Sequence, residues 1–289
     1  MMTEIGKVNR LAILKERNAG IYLDGGELGE ILLPNRDVPQ DFELDDMIDV
    51  FIYRDSEDRL IATTATPVAQ VGEFALLRCT STTDYGAFLY WGLAKDLLVP
   101  FREQAVRMER GRSYIVYIYL DATSQRLVAS SKLNKHLERI AMDETAEPFQ
   151  KDDLVSIMIS AKTDMGYKAI IENRAQGILF ANEVFRPLKR GEKLEAYIKN
   201  IRKDGKIDLV LQKPTYQILD QISQDILARL DANNGYLDIT DKSSPEVISS
   251  LFGISKKSFK KGLGTLYRKR LITIQETGIY RINPKDNAE

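Results

Sequence analysis

Two kinds of side chain recur at spacings that can do binding chemistry. In DYGAFLYWG (84–92) the rings of Tyr85, Phe88 and Tyr90 offer flat faces. In SKKSFKKG (255–262) four ammonium groups, Lys256, Lys257, Lys260 and Lys261, recur at i, i+1, i+4 and i+5. That spacing covers one stripe of a helix. Aromatic rings stack on unpaired bases, worth roughly 1–3 kcal/mol per base, and ammonium groups neutralise phosphates regardless of base sequence. The plainer alternatives are a ring packed on a neighbouring domain and a solvated helix face. Strand alternation puts Phe88 and Tyr90 on one face and Ala87 and Leu89 on the other. The small, aliphatic pair makes the better interior, which turns Phe88 outward, while Trp91 reads as a core or inter-domain residue.

Catalytic chemistry finds little support. Cys79 is the only cysteine and His136 the only histidine, and they lie far apart among 289 residues. No nucleophile–base set and no Gly-rich phosphate loop is present. A zinc site built on Cys and His is excluded, so no metal or cofactor is expected. The carboxylate-rich DFELDDMID (41–49) reads as a solvated loop before a strand. No disulfide can form within the chain, no apolar run reaches ~18 residues, and the start lacks a signal peptide's apolar core. A cytoplasmic protein without membrane contact, monomeric rather than oligomeric, is the expectation.

The net charge of −1 hides an asymmetry. Residues 1–65 carry 7 basic against 14 acidic residues, a net of −7. The counts are 10 against 9 for 66–145, 13 against 10 for 146–214, and 11 against 9 for 215–289. A polyanion would meet the C-terminal half, so a fragment 146–289 is expected to carry most of any such affinity.

Three segments align without gaps: AGIYLDGGELGEILLP (19–34), YGAFLYWGLAKDLLVP (85–100) and MGYKAIIENRAQGILF (165–180). Gly20 precedes Pro34, Gly86 precedes Pro100 and Gly166 precedes Phe180 by the same interval, and a basic residue returns at Arg59, Arg126 and Lys206. Each repeat holds five short β-rich runs. In the second they are 74–80, 87–91, 97–100, 113–119 and 126–130. Five strands in ~60–70 residues is the size of an OB-fold barrel, and each glycine sits at a strand start, where a small barrel needs a bend or bulge.

The order YGAFL, then LLVPFRE, then a basic-apolar strand resembles the RNA-binding repeat of the ribosomal S-one protein. The resemblance implies an OB barrel whose RNA face uses two aromatics on the second strand, a His on the third, and an Asp and Arg around the last hairpin. In the second repeat this maps to Tyr85, Phe88, Arg126 and Asp121, with Pro100 in place of the His. In the first, Tyr22 remains with Ala19 as its lost mate, Pro34 replaces the His, and Asp55 and Arg59 fit the hairpin. In the third, Met165 and Lys168 replace the aromatic pair, Phe180 supplies a ring at the His position, and the hairpin carries Arg202, Lys203 and Lys206. The second repeat is the aromatic copy and the third the basic one.

Beyond Pro214 the pattern changes to helix, strand, helix, turn, helix and hairpin. Ile218, Leu219, Ile222, Ile226, Leu227 and Leu230 recur at helical spacing. Ser244, Pro245 and Gly253 bound a short helix, and Ser255 caps the next. Arg268, Lys269 and Arg270 at its end suit the helix dipole. Residues 271–282 form a hairpin around Glu276, Thr277 and Gly278. This order resembles a winged helix.

A mainly β chain is therefore expected, with barrels at 1–65, 66–145 (with a trailing helix) and 146–214, and a small α/β winged helix with a tail at 215–289. That combination resembles the bacterial conserved virulence factor B family. The resemblance implies a non-catalytic protein that binds single-stranded RNA and regulates expression of virulence factors. DNA binding through the winged helix, as a transcription regulator, is the alternative. A protein scaffold of RNA machinery docked through the acidic first barrel is another.

Overall fold

The computed structural model describes residues 3–141, 147–184, 186–212 and 215–282, with the side chains of 138–141 and 215–221 left out. The expected boundaries at 145/146 and 214/215, and the side chains of Ile218 and Leu219, lie outside the described residues. The chain divides into two compact units, Met1–Leu209 and Val210–Glu289.

The first unit holds three closed five-stranded barrels, the fold class that the repeat implies. The first comprises β1 (Val8–Arg17), β2 (Gly20–Asp24), β3 (Glu30–Pro34), β4 (Met47–Arg54) and β5 (Leu60–Thr63). The second comprises β6 (Phe74–Thr83), β7 (Gly86–Tyr90), β8 (Leu97–Pro100), β9 (Ser113–Leu120) and β10 (Leu127–Ser130). Helix α1 (Leu133–Ala141) follows it. The third comprises β11 (Leu154–Thr163), β12 (Gly166–Ile171), β13 (Ala175–Phe180), β14 (Lys193–Ile201) and β15 (Ile207–Val210). In each barrel the third strand runs parallel to the fifth, and the other neighbours are antiparallel.

The repeated glycine interval is a strand register. Gly20 pairs with Pro34, Gly86 with Pro100 and Gly166 with Phe180. All three glycines have positive φ, at 146°, 153° and 144°. A Cβ at these sites would run into the carbonyl oxygens of Leu33, Val99 and Leu179 respectively. The preceding strand bulges at the same place each time, between Ile13 and Lys15, Cys79 and Ser81, and Ile159 and Ala161. The bulged residue is bonded across in two copies. Thr80 Oγ1 donates to Phe88 O at 3.0 Å, and Ser160 Oγ donates to Lys168 O at 3.1 Å. In the first copy the position is Leu14, which has no hydroxyl to donate.

The barrels are not beads on a string. The core of the second continues into Phe51, Tyr53 and Ala69, and the Trp91 ring meets Phe51 edge-on at 5.6 Å and 81°. On its other side, Phe74, Ile115, Leu137, Met158 and Ile170 join the second barrel, α1 and the third barrel in one cluster. Beside that cluster sits the carboxyl of Glu103, only 6% exposed. Lys135 Nζ lies 3.3 Å from Oε1 and His136 Nε2 lies 3.9 Å from Oε2.

The second unit packs α2 (Thr215–Ala232), α3 (Pro245–Phe252) and α4 (Lys256–Arg268) against a sheet ordered β16 (Tyr236–Leu237), β18 (Gly278–Arg281), β17 (Ile272–Gln275). Ser244 and Ser255 cap α3 and α4 by accepting from the backbone N–H three residues on, and Gly253 ends α3 at φ 65°. Helix α4 turns Phe259, Gly262, Leu263 and Leu266 inward. A Cβ on Gly262 would lie 2.6 Å from Ile222 Cγ2, so the glycine sets how closely α4 approaches α2.

Two outcomes follow. Gly86→Ala must move either Val99 O or the φ that only glycine holds cheaply, and it should cost about 2–3 kcal/mol in denaturant unfolding. Burial pushes the Glu103 carboxyl up, but Ser130, Lys135 and His136 outweigh it and hold it below its usual range. A depressed carboxyl stabilises above its unfolded value, ~4.3, and that contribution is lost as pH falls through the lower folded value. The stability difference between the native chain and Glu103→Gln should shrink as unfolding is measured at successively lower pH from about 4.3 downward and level off below the folded value.

Candidate nucleic-acid interface

Strand β7 does what its alternation predicts. Ala87 and Leu89 are fully buried, Phe88 is half-buried and Tyr90 is 55% exposed. Tyr85, in the turn before Gly86, is 79% exposed. Three rings thus lie outside the core of the second barrel. Cys79, on the neighbouring strand, is buried, and burial pushes its thiol up. It is a core residue.

The equivalent face of the first barrel is poorer. Tyr22 is half-buried beneath Lys15, whose Nζ lies 5.4 Å from the ring centroid and is paired with Glu30. In the third barrel Lys168 is exposed at the position of Phe88, and Phe180 is half-buried with the Arg202 guanidinium 5.7 Å from its ring centroid.

The cations divide into two groups that the sequence does not separate. Arg59 is held by Asp55 at 2.7 Å and by Glu57 at 2.8 Å. Arg202 grips the buried Asp208 through Nη2 at 2.7 Å and Nε at 3.2 Å. Lys206 pairs with Asp204 at 2.8 Å. Arg126 forks onto Asp58 of the first barrel, with Nε 2.8 Å from Oδ1 and Nη2 closing on Oδ2. In the second unit Lys256 donates to Lys242 O and Lys260 lies 3.4 Å from Asp241. Among the described residues, Lys168, Lys203, Lys257 and Lys261 carry no such partner, and all four are exposed. The basic charge at these positions is therefore partly paired. Acidic residues in the same hairpins or in the adjoining barrel already neutralise part of it. Each of these guanidinium groups is held more firmly charged by its carboxylate.

The carboxylates respond in kind. The Arg126 guanidinium holds Asp58 below the usual range. Asp121, offered by position as a partner of the site, is instead bonded by Ser124 and lowered by it. The last hairpin of the first barrel makes polar contacts with the second. Arg54 Nε donates to Gln125 O at 3.1 Å, and Lys95 Nζ donates to the carbonyls of Arg54 and Asp55 at 3.2 and 2.8 Å. Two further arginines flank the exposed Tyr90. Arg78 is its cross-strand neighbour, and Arg110 lines the same groove. Repeat alignment missed Tyr53, Asp58, Lys95, Arg78 and Arg110. The first three come together only across two repeats, and the last two lie outside the positions that the repeats share.

The stretch 41–46 is an exposed loop that leads into β4, as its charge implies. No helix among the described residues is long and apolar enough to cross a membrane.

Comparison with known proteins follows the same division. Residues 5–65 match the S1 domain and residues 224–280 match the CvfB-like winged helix domain. A protein of Bacillus subtilis named YitL, described as uncharacterized, is 25% identical over 94% of this chain and 92% of its own length. The conserved virulence factor B of Staphylococcus epidermidis is 25% identical over 97% of this chain and 95% of its own. A crystal structure of a multidomain protein with nucleic acid binding domains from Streptococcus pneumoniae is 22% identical, with a TM-score of 0.40 over 96% of this chain and 98% of that one. The chain thus joins an S1 domain to a CvfB-like winged helix, both nucleic-acid-binding types, and is similar along nearly its whole length to conserved virulence factor B.

Asp58 occupies the Arg126 guanidinium, and such forks take carboxylate and phosphate alike. Asp58→Asn should raise affinity for a single-stranded oligonucleotide severalfold in a filter-binding titration, and urea unfolding should show an unchanged midpoint. Equal affinity of the two proteins would mean that Asp58 does not compete.

Proposed function

We propose that this chain is a non-catalytic binder of single-stranded RNA that acts after transcription to regulate gene expression. The observation that carries the reading is the ring-bearing side of the second barrel. Tyr85, Phe88 and Tyr90 remain accessible there while their strand neighbours fill the core. Solvent-facing rings grouped on one strand mark an interaction surface. Base stacking suits them because every base has a π-face, so modest base preference is expected. Lys168 and Lys203 in the third barrel, and Lys257 and Lys261 on α4, offer exposed ammonium groups to phosphates. Several weak sites in one chain gain from effective concentration. The similarity to conserved virulence factor B supports a link to virulence.

The exposed Lys257 and Lys261 on α4 favour a second reading, in which the winged helix meets duplex DNA. Competition between a duplex and a single strand for the full chain separates the two.

Salt dependence tests the phosphate contacts directly. On single strands log K falls with log[salt] by about 0.7 per phosphate contact. Lys168→Ala/Lys203→Ala and Lys257→Ala/Lys261→Ala should each lower the slope by roughly 1.4 if both lysines of the pair contact phosphates. Absence of RNA binding at low salt, or slopes unmoved in both variants, would count against the proposal.

A further inference from the structure

The first and second barrels enclose a cavity of about 320 Å³ beside the ring-bearing strand. Tyr85, Phe88 and Trp91 line it from the second barrel, and Tyr53 lines it from the first. Lys95 and Arg126 add two cations to its lining. Pockets for small molecules run from about 300 to 1,000 Å³. This one lies at the lower bound, the scale of one nucleoside rather than of a stacked run. Trp91 Nε1 is already committed to Lys95 O at 2.7 Å, so that wall offers a ring and no free donor. Arg126, by contrast, holds an oxyanion through a two-pronged guanidinium contact. Arginine forks of this geometry take carboxylate and phosphate alike.

We infer that this cleft is a binding site for a single nucleobase, held among the rings of both barrels, with its phosphate on Arg126 in the place of the Asp58 carboxylate. The inference rests on the reading of the second barrel as a nucleic-acid binder. It adds that the acidic first barrel supplies part of the site instead of standing apart from it. A ring-lined apolar cavity with an oxyanion seat among its lining residues matches a base joined to a phosphate, whether in a strand or in a free nucleotide. A peptide would need backbone partners that these ring walls do not offer.

The chain's only tryptophan, 2% exposed, is in the wall of the cavity. Its emission therefore reports on occupancy in the full chain. The probes are a mixed-sequence RNA hexamer, the four ribonucleoside monophosphates and inorganic phosphate. Saturable quenching by the hexamer, with the midpoint found by filter binding, is expected. The ligand that saturates at the lower concentration, hexamer or monophosphate, identifies the source of the base. Leu98→Phe narrows the cavity without removing a ring or a charge. It should weaken the hexamer about tenfold, or ~1.4 kcal/mol, and abolish the quench. Tyr85→Ala removes an exposed ring and should lose the same signal, which guards against a folding defect in Leu98→Phe. RNA retained on the filter with unmoved emission, and with both variants binding like the native chain, overturns the pocket but leaves RNA binding in place. Emission quenched equally by inorganic phosphate overturns the base-binding claim. No RNA retained at all removes the reading beneath it.

Discussion

One close approach recurs three times and the barrels depend on it. The first residue of each second strand faces the carbonyl oxygen of the residue before its partner on the third strand. Only glycine leaves room there, and only glycine holds the positive φ cheaply. The preceding strand bulges six residues upstream, which twists it enough for five short strands to close. Closure then dictates which side chains of the second strand fill the interior and which stay outside. The ring-bearing face of β7 is thus a consequence of a backbone contact made at Gly86.

The three copies diverge on top of this shared frame. The first keeps the barrel but loses its ring pair and gathers negative charge. The second keeps the rings, and the third exchanges Phe88's position for Lys168. Electrostatics then couples the copies. The acidic first barrel sends its last hairpin to the second, where Asp58 meets Arg126 and Lys95 meets the carbonyls of Arg54 and Asp55. These groups are largely solvent-exposed. Surface pairs of that kind contribute little to stability, but they decide which cations remain available to a phosphate.

Much of this architecture was legible in the chain. The glycine interval announced the strand register, alternation sorted Ala87 and Leu89 from Phe88 and Tyr90, and Ser244, Pro245, Gly253 and Ser255 marked the ends of α3 and α4. These are local rules, since period, cap and turn chemistry act within a few residues. The fate of the cations was not legible in the same way. Arg126 and Lys206 look equivalent in a repeat alignment, yet one is bound by a carboxylate 68 residues away in another barrel and the other by Asp204 in its own hairpin.

The sequence by itself determined three β barrels and a winged helix, the location of the ring-rich strand, and the uneven spread of charge. Each of those is encoded by spacing along one segment. Tertiary structure alone decided that Tyr53 joins Phe88 and Trp91 around a cavity and that Asp58 takes Arg126. Those contacts depend on how one closed barrel lies against the next. No periodicity within a repeat carries that information, because the partner residues belong to different repeats and meet only after each barrel has closed.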